Sequence, residues 1–150
     1  MPKLPTVALT RFQALVEDIR KALAARGDAH RPAHHRQNLS AEFVVGDVAF
    51  DLLHLQQGPS GRPCFLLQCR CGSVTHPQGE QVMRDLLSRR ASSDPALPGA
   101  VGVNGRGELM MVSLLQAGSE QAARHLSNSM VELSEVVSRW RDAQRPRLLH

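Results

Sequence analysis

The chain predicts an α+β fold, an antiparallel sheet packed by helices in the order α-β-β-β-α-β-β-α, and three observations carry that prediction. Two alternating runs lie between Val48 and Ser73. In the first, Val48, Phe50, Leu52 and His54 alternate with Ala49, Asp51, Leu53 and Leu55; in the second, Phe65, Leu67, Cys69 and Cys71 alternate with Leu66, Gln68 and Arg70. Successive strand side chains point to opposite faces, so the pattern gives one apolar face and one mixed face. Towards both ends of the chain, apolar residues recur instead at the three- and four-residue spacing of a helix. Glycine-bearing turns, Gly58-Pro59-Ser60-Gly61 and Asn104-Gly105-Arg106-Gly107, punctuate the strands.

In chain order, Leu9, Phe12, Leu15, Val16, Ile19 and Leu23 make the stripe of an opening helix, which Arg26 and Gly27 end. Asp28 to Asn38 is polar, contains Pro32, has no period and is read as a loop. A short strand, Glu42 to Val45, turns through Gly46-Asp47 into the strand Val48–Gln56, and Cys64–Cys71 follows. Pro77, tolerated at a helix start, opens a middle helix with Val82, Met83, Leu86 and Leu87 on one stripe. That helix decays in Ser88-Arg89-Arg90, and Ser92–Gly99 is a loop. Ala100–Val103 and Glu108–Gln116 form a second hairpin. The closing helix, Ser119 to about Gln144, buries a stripe of Ala122, Leu126, Met130, Leu133, Val137 and Trp140 until Arg145-Pro146 stops it. With no repeat and no linker, residues 1–150 are read as one domain, with an ordered core over about 8–144 and a tail from 145.

Composition excludes several roles. Hydrophobic residues make up 42% and charged residues 21%, as in a soluble globular chain. The net charge of +4 is compatible with nucleic acid or an acidic partner. With no Tyr, one Trp and four Phe, however, a base-stacking platform is poorly supplied, and no nucleic-acid partner is expected. Three cysteines, an odd number, argue against a secreted disulfide framework. The opening residues carry no apolar core of signal-peptide length. The longest nearly apolar run, Leu109 to Leu115, falls far short of the ~20 residues a membrane helix needs. A cytoplasmic chain without membrane insertion is expected.

Cys69 and Cys71 share one strand face, and Cys64, His54 and His76 are near enough in sequence to invite a zinc reading. A structural site needs a second cysteine pair, which is missing, and a free cysteine packs well as a small hydrophobe. His30, His34 and His35 fall in the polar loop and are read as solvated. The carboxylates form no paired motif, and the glycines at 99, 102, 105 and 107 precede a strand rather than open a helix as a phosphate loop does. No catalytic, cofactor-binding or metal-ligating residue is assigned, and no enzyme is expected.

The surplus of Leu53, Leu55 and Leu66 on the mixed strand face calls for something to lie against it. In its element order the chain resembles the class I type III secretion chaperones, the CesT/Tir chaperone family. The matching stretches are VAFDLLHL and PCFLLQC, the step Gly72-Ser73-Val74 into a Pro-started helix, and the ending VELSEVVSRWRDA, together covering about residues 8–143. It departs from the family in being basic, in reading Gly46-Asp47 where Asp-Gly is common, and in Ser88-Arg89-Arg90 where an asparagine often follows the middle helix. The resemblance implies a bacterial cytoplasmic homodimer that binds the N-terminal segment of one or more secreted effectors. It keeps that segment extended and secretion-competent without hydrolysing ATP itself, and admits the secretion-apparatus ATPase as a further partner. It also implies a dimer interface at Val82, Met83, Leu86, Leu87, Val101 and Val103. Effector grooves are expected from Phe12, Val16 and Ile19 of the opening helix and from Leu53, Leu55, Leu66 and Leu114 of the strands, though some of the helix must also anchor it to the sheet. Two alternatives are a protein-binding adaptor of the same fold outside secretion, and a small regulator using the cysteines for metal or the arginine tail for nucleic acid.

Overall fold

The computed structural model describes residues 6–25, 34–36, 39–58, 61–73, 99–118 and 121–144. Helix α1 spans Thr6–Ala25. The strands are β1 His34–Arg36, β2 Ser40–Val45, β3 Val48–Leu55, β4 Cys64–Ser73, β5 Gly99–Val103 and β6 Glu108–Gln116. Helix α2 spans Ala122–Gln144. The strands form one sheet in the order β1-β2-β3-β4-β6-β5, and every neighbouring pair is antiparallel. The fold is α+β, as the alternation predicts. One element differs: the stretch expected to be a loop supplies β1, whose His34 and Arg36 pair with Glu42 and Ser40. An all-polar, three-residue strand gives no hydrophobic period, and an edge strand is held by backbone hydrogen bonds that any sequence supplies. The expected middle helix from Pro77, the Arg26-Gly27 helix stop, the side chain of Trp140 and the tail from Arg145 lie outside the described residues.

One face of the sheet carries the core. Phe43 pairs with Phe50, Ala41 with Leu52 and Val45 with Val48, all of them buried. The row continues through Leu67 and Cys69 of β4 into Leu109, Met111 and Leu115 of β6. Over this face lie Phe12, Val16, Ile19 and Leu23 of α1 and Leu126, Met130, Leu133 and Val137 of α2. Three serines on α2 are also buried; Ser127 and Ser134 donate back to the carbonyls of Arg124 and Val131, which satisfies them inside the helix. Ser138 near the end of α2 donates to the carboxylate of Asp47 at 3.1 Å, tying the helix to the β2–β3 turn.

Local geometry fixes the strand register. Gly46 takes a φ of 62° in the two-residue turn between Val45 and Val48. In the β5–β6 turn the Asn104 side-chain oxygen accepts from the amides of Arg106 and Glu108, at 2.9 and 3.0 Å. A bulge between Arg70 and Gly72 shifts the β4–β6 register by one residue. Leu39 holds a φ of 48° although it is not glycine. That conformation costs ~1–2 kcal/mol, and burying the leucine side chain, 2% exposed here, returns about 1.5–3 kcal/mol.

The β3–β4 turn has no room for a side chain at Gly58. A Cβ there would stand 2.6 Å from Cys64 Sγ and 3.0 Å from the Arg62 carbonyl, the same carbonyl that accepts from the Gly58 amide at 2.7 Å. Gly58→Ala is therefore expected to lower stability by ~1–3 kcal/mol through overpacking. Adding Cys64→Ala should recover part of the loss by removing the nearer obstacle, a coupling that urea denaturation of the four variants would measure. Strict additivity of the two substitutions would show that the clash is not what matters.

Candidate functional site

The second face of the sheet brings the strand leucines together. Leu53 pairs with Leu66, and Leu66 pairs with Leu114, so three leucines stand side by side across β3, β4 and β6. Leu55 lies one step further along β3 on the same face. All four are half-buried. Neighbouring strands are ~4.8 Å apart, so the row spans ~10 Å, about three residues of an extended chain. The next row along the strands is polar at one end: Glu42 pairs with Asp51, Asp51 with Gln68, and Gln68 with Val112. Arg70 extends its Nη2 to Glu42 Oε1 and its Nε to Asp51 Oδ2, both at 4.0 Å. The surface is an apolar bar bordered by an acidic pair with the Arg70 guanidinium beside it.

The helix residues expected in the same groove are elsewhere. Phe12, Val16 and Ile19 are 1%, 2% and 0% exposed, and belong to the core on the opposite face. Their stripe is continuous with Leu15 and Leu23, so spacing alone marks an inward face without saying how much of it stays free. Val101 and Val103 are in register with Met111 and Leu109, and their side chains lie outside the described ones, as do Val82, Met83, Leu86 and Leu87 altogether. Met110 and Val112, not singled out from the sequence, share the leucine face through their pairing with Arg70 and Gln68. The run Leu109–Leu115 is apolar at nearly every position, which hides the alternation that would have assigned its two faces.

A second feature is a cleft of about 870 Å³ between α1, the start of α2 and the ends of β3 and β4. Phe12, His54 and Phe65 form its aromatic wall; the His54 ring meets Phe65 edge-on at 5.3 Å and Phe12 at 6.4 Å. Short side chains on both helices, Ala8, Ala14, Ala122 and Ala123, leave the space, and Arg11 and Asp18 stand exposed at its rim. Nothing in the sequence pattern announces this cleft, because alanine fits a helix whether or not it borders a void.

His54 Nδ1 is buried without a hydrogen-bond partner among the described residues. Burial lowers the His54 pKa from its ordinary 6.5 by disfavouring the charged ring. The neutral form is thus favoured on folding, and the unfolded chain binds more protons. Stability contributed by this residue is full above pH 6.5 and falls as the pH drops through 6.5 towards the lower folded value. His54→Leu should flatten that part of the stability curve and, by removing an orphaned polar atom, raise stability by ~1 kcal/mol at neutral pH. Parent and variant melts between pH 5 and 8 check this, and identical slopes for the two chains would refute it.

Among the described residues no group of three or more His, Cys, Asp or Glu side chains is placed to hold a metal ion. Cys64, Cys69 and Cys71 are free thiols buried in β4, and Cys71 Sγ makes a weak contact with the Cys69 carbonyl at 3.8 Å. Neither described helix is long and apolar enough to cross a membrane. No protein-family model matches the sequence, and no curated protein matches it either.

Proposed function

We propose that this protein is a chaperone of the class I type III secretion kind, acting in the bacterial cytoplasm as a homodimer. It binds the N-terminal segment of a secreted effector, holding it extended and unfolded until export. The observation that supports this reading most is the leucine row Leu53–Leu66–Leu114, paired directly across three strands and half-buried. A disordered segment loses conformational entropy when it is ordered, and a contiguous apolar surface is what offsets that loss. A scattered set of apolar residues would not. The proposed work is reversible binding.

Co-expression with candidate secreted proteins, followed by co-purification and proteolytic mapping of the protected partner segment, tests the reading. An N-terminal partner segment of a few tens of residues should co-purify, and light scattering should give the mass of two copies of this chain. A partner held through its folded domain instead would replace the chaperone with an adaptor of the same fold. A monomer at micromolar concentration would remove the homodimer from the proposal.

A further inference from the structure

The chain is basic overall, with 18 Lys and Arg against 14 Asp and Glu. The leucine face has the opposite sign. Across β2, β3, β4 and β6 it carries the carboxylates of Glu42, Asp51 and Glu108 against the guanidinium of Arg70, and register adds Arg36 of β1 to the same face, leaving three carboxylates to two guanidiniums. Glu108 sits at the far end of β6, where Asn104 Nδ2 donates to it at 3.3 Å. On β1, Arg36 is in register with Ser40 at the outer edge of the sheet, and His34 with Glu42. Glu42 and Asp51 are directly opposed, a like-charge pairing that destabilises a sheet, and Arg70 stands 4.0 Å from each, at the outer limit of ion-pair distance. Their side chains are each 29% exposed, so a cation from outside can reach them.

We infer that the segment bound on this face carries a lysine or arginine beside its apolar anchors, and that Glu42 and Asp51 are the residues that read it. This rests on the proposal that the leucine row binds an extended segment, and specifies that segment's chemistry. Asp51 is two residues from Leu53 along β3, so the acidic pair lies ~7 Å from the apolar bar. A basic residue within two or three positions of an apolar anchor meets the pair. At physiological ionic strength charges beyond ~8 Å are largely screened, so a bound residue here responds to Glu42, Asp51 and the cations beside them, and not to the net charge of the whole chain. The apolar residues supply affinity, and the charge pair supplies register and selection against acidic segments.

A random twelve-residue peptide display library selected against the full chain tests this. Recovered peptides are then measured against the parent chain and against Leu66→Gln, Asp51→Asn, Glu42→Gln and Arg70→Gln, with thermal melts for each variant. Peptides that depend on Leu66 should be enriched in Lys or Arg next to apolar residues. They should lose roughly two- to five-fold in affinity per carboxylate neutralised, and gain by a similar factor on Arg70→Gln, which removes the competing cation. Raising the salt concentration should shrink all three effects. Peptides that need Leu66 but are indifferent to the carboxylates, or that are acidic, would overturn the charge inference and leave the apolar surface standing. Recovered peptides that never depend on Leu66 would overturn both.

Discussion

Phe50→Ala is expected to destabilise the protein by ~3–5 kcal/mol, the largest loss from any single truncation considered. Phe50 is fully buried at the centre of the sheet's core face, paired with Phe43 on one side and Cys69 on the other. Removing the ring leaves a void among the side chains packed between the sheet and the helices, and the strand beneath it cannot shift to fill the space without breaking register with both neighbours. Domains of this size are stable by only ~5–15 kcal/mol, so the variant would sit close to its unfolding threshold. Urea denaturation should show the midpoint moved down by roughly one to three molar, with an unchanged slope. A loss below ~1 kcal/mol would mean that the face assigned to the core is not packed as described.

Strand register also decides which features are readable in the sequence. In β3 and β4 the two faces alternate cleanly, so Phe50, Leu52 and Leu67 could be told from Asp51, Leu53 and Leu66 by position alone. The leucine row was legible as a surplus, while its continuity was not: adjacency of Leu53, Leu66 and Leu114 depends on β6 inserting between β4 and β5, a topological fact that no local pattern encodes. Glu42 and Asp51 meet through the register that the Gly46-Asp47 turn sets, so their pairing was implicit in the sequence, while the approach of Arg70 to both from a third strand was not. For α1 the signal ran the other way. Phe12, Val16 and Ile19 gave a clear stripe, and the structure spends that stripe on the core. β1 carried no signal at all, because its residues are polar and its strand is made by backbone pairing.

Leu66→Gln should weaken capture of an extended partner by ~1–3 kcal/mol while leaving the fold intact, and Leu67→Gln, one residue along, should do the reverse. Leu66 is central in its row, flanked by Leu53 and Leu114, so a polar amide there interrupts the apolar bar from both sides. It is half-buried already, and the glutamine amide can remain hydrated with little cost to folding. Leu67 is 1% exposed on the opposite face against Leu52 and Ser113, where an unpaired amide would be sealed from water. Leu53→Gln and Leu114→Gln should weaken binding less than Leu66→Gln, and Leu55→Gln least, since Leu55 stands outside the row. Melting curves and partner co-purification, measured together on all five variants, separate loss of fold from loss of surface. Folded Leu53, Leu66 and Leu114 variants that all bind an identified partner at full strength would show that the leucine row is not where the segment lies. The partner would then have to be held at another surface, with the cleft walled by Phe12, His54 and Phe65 the next to be tested.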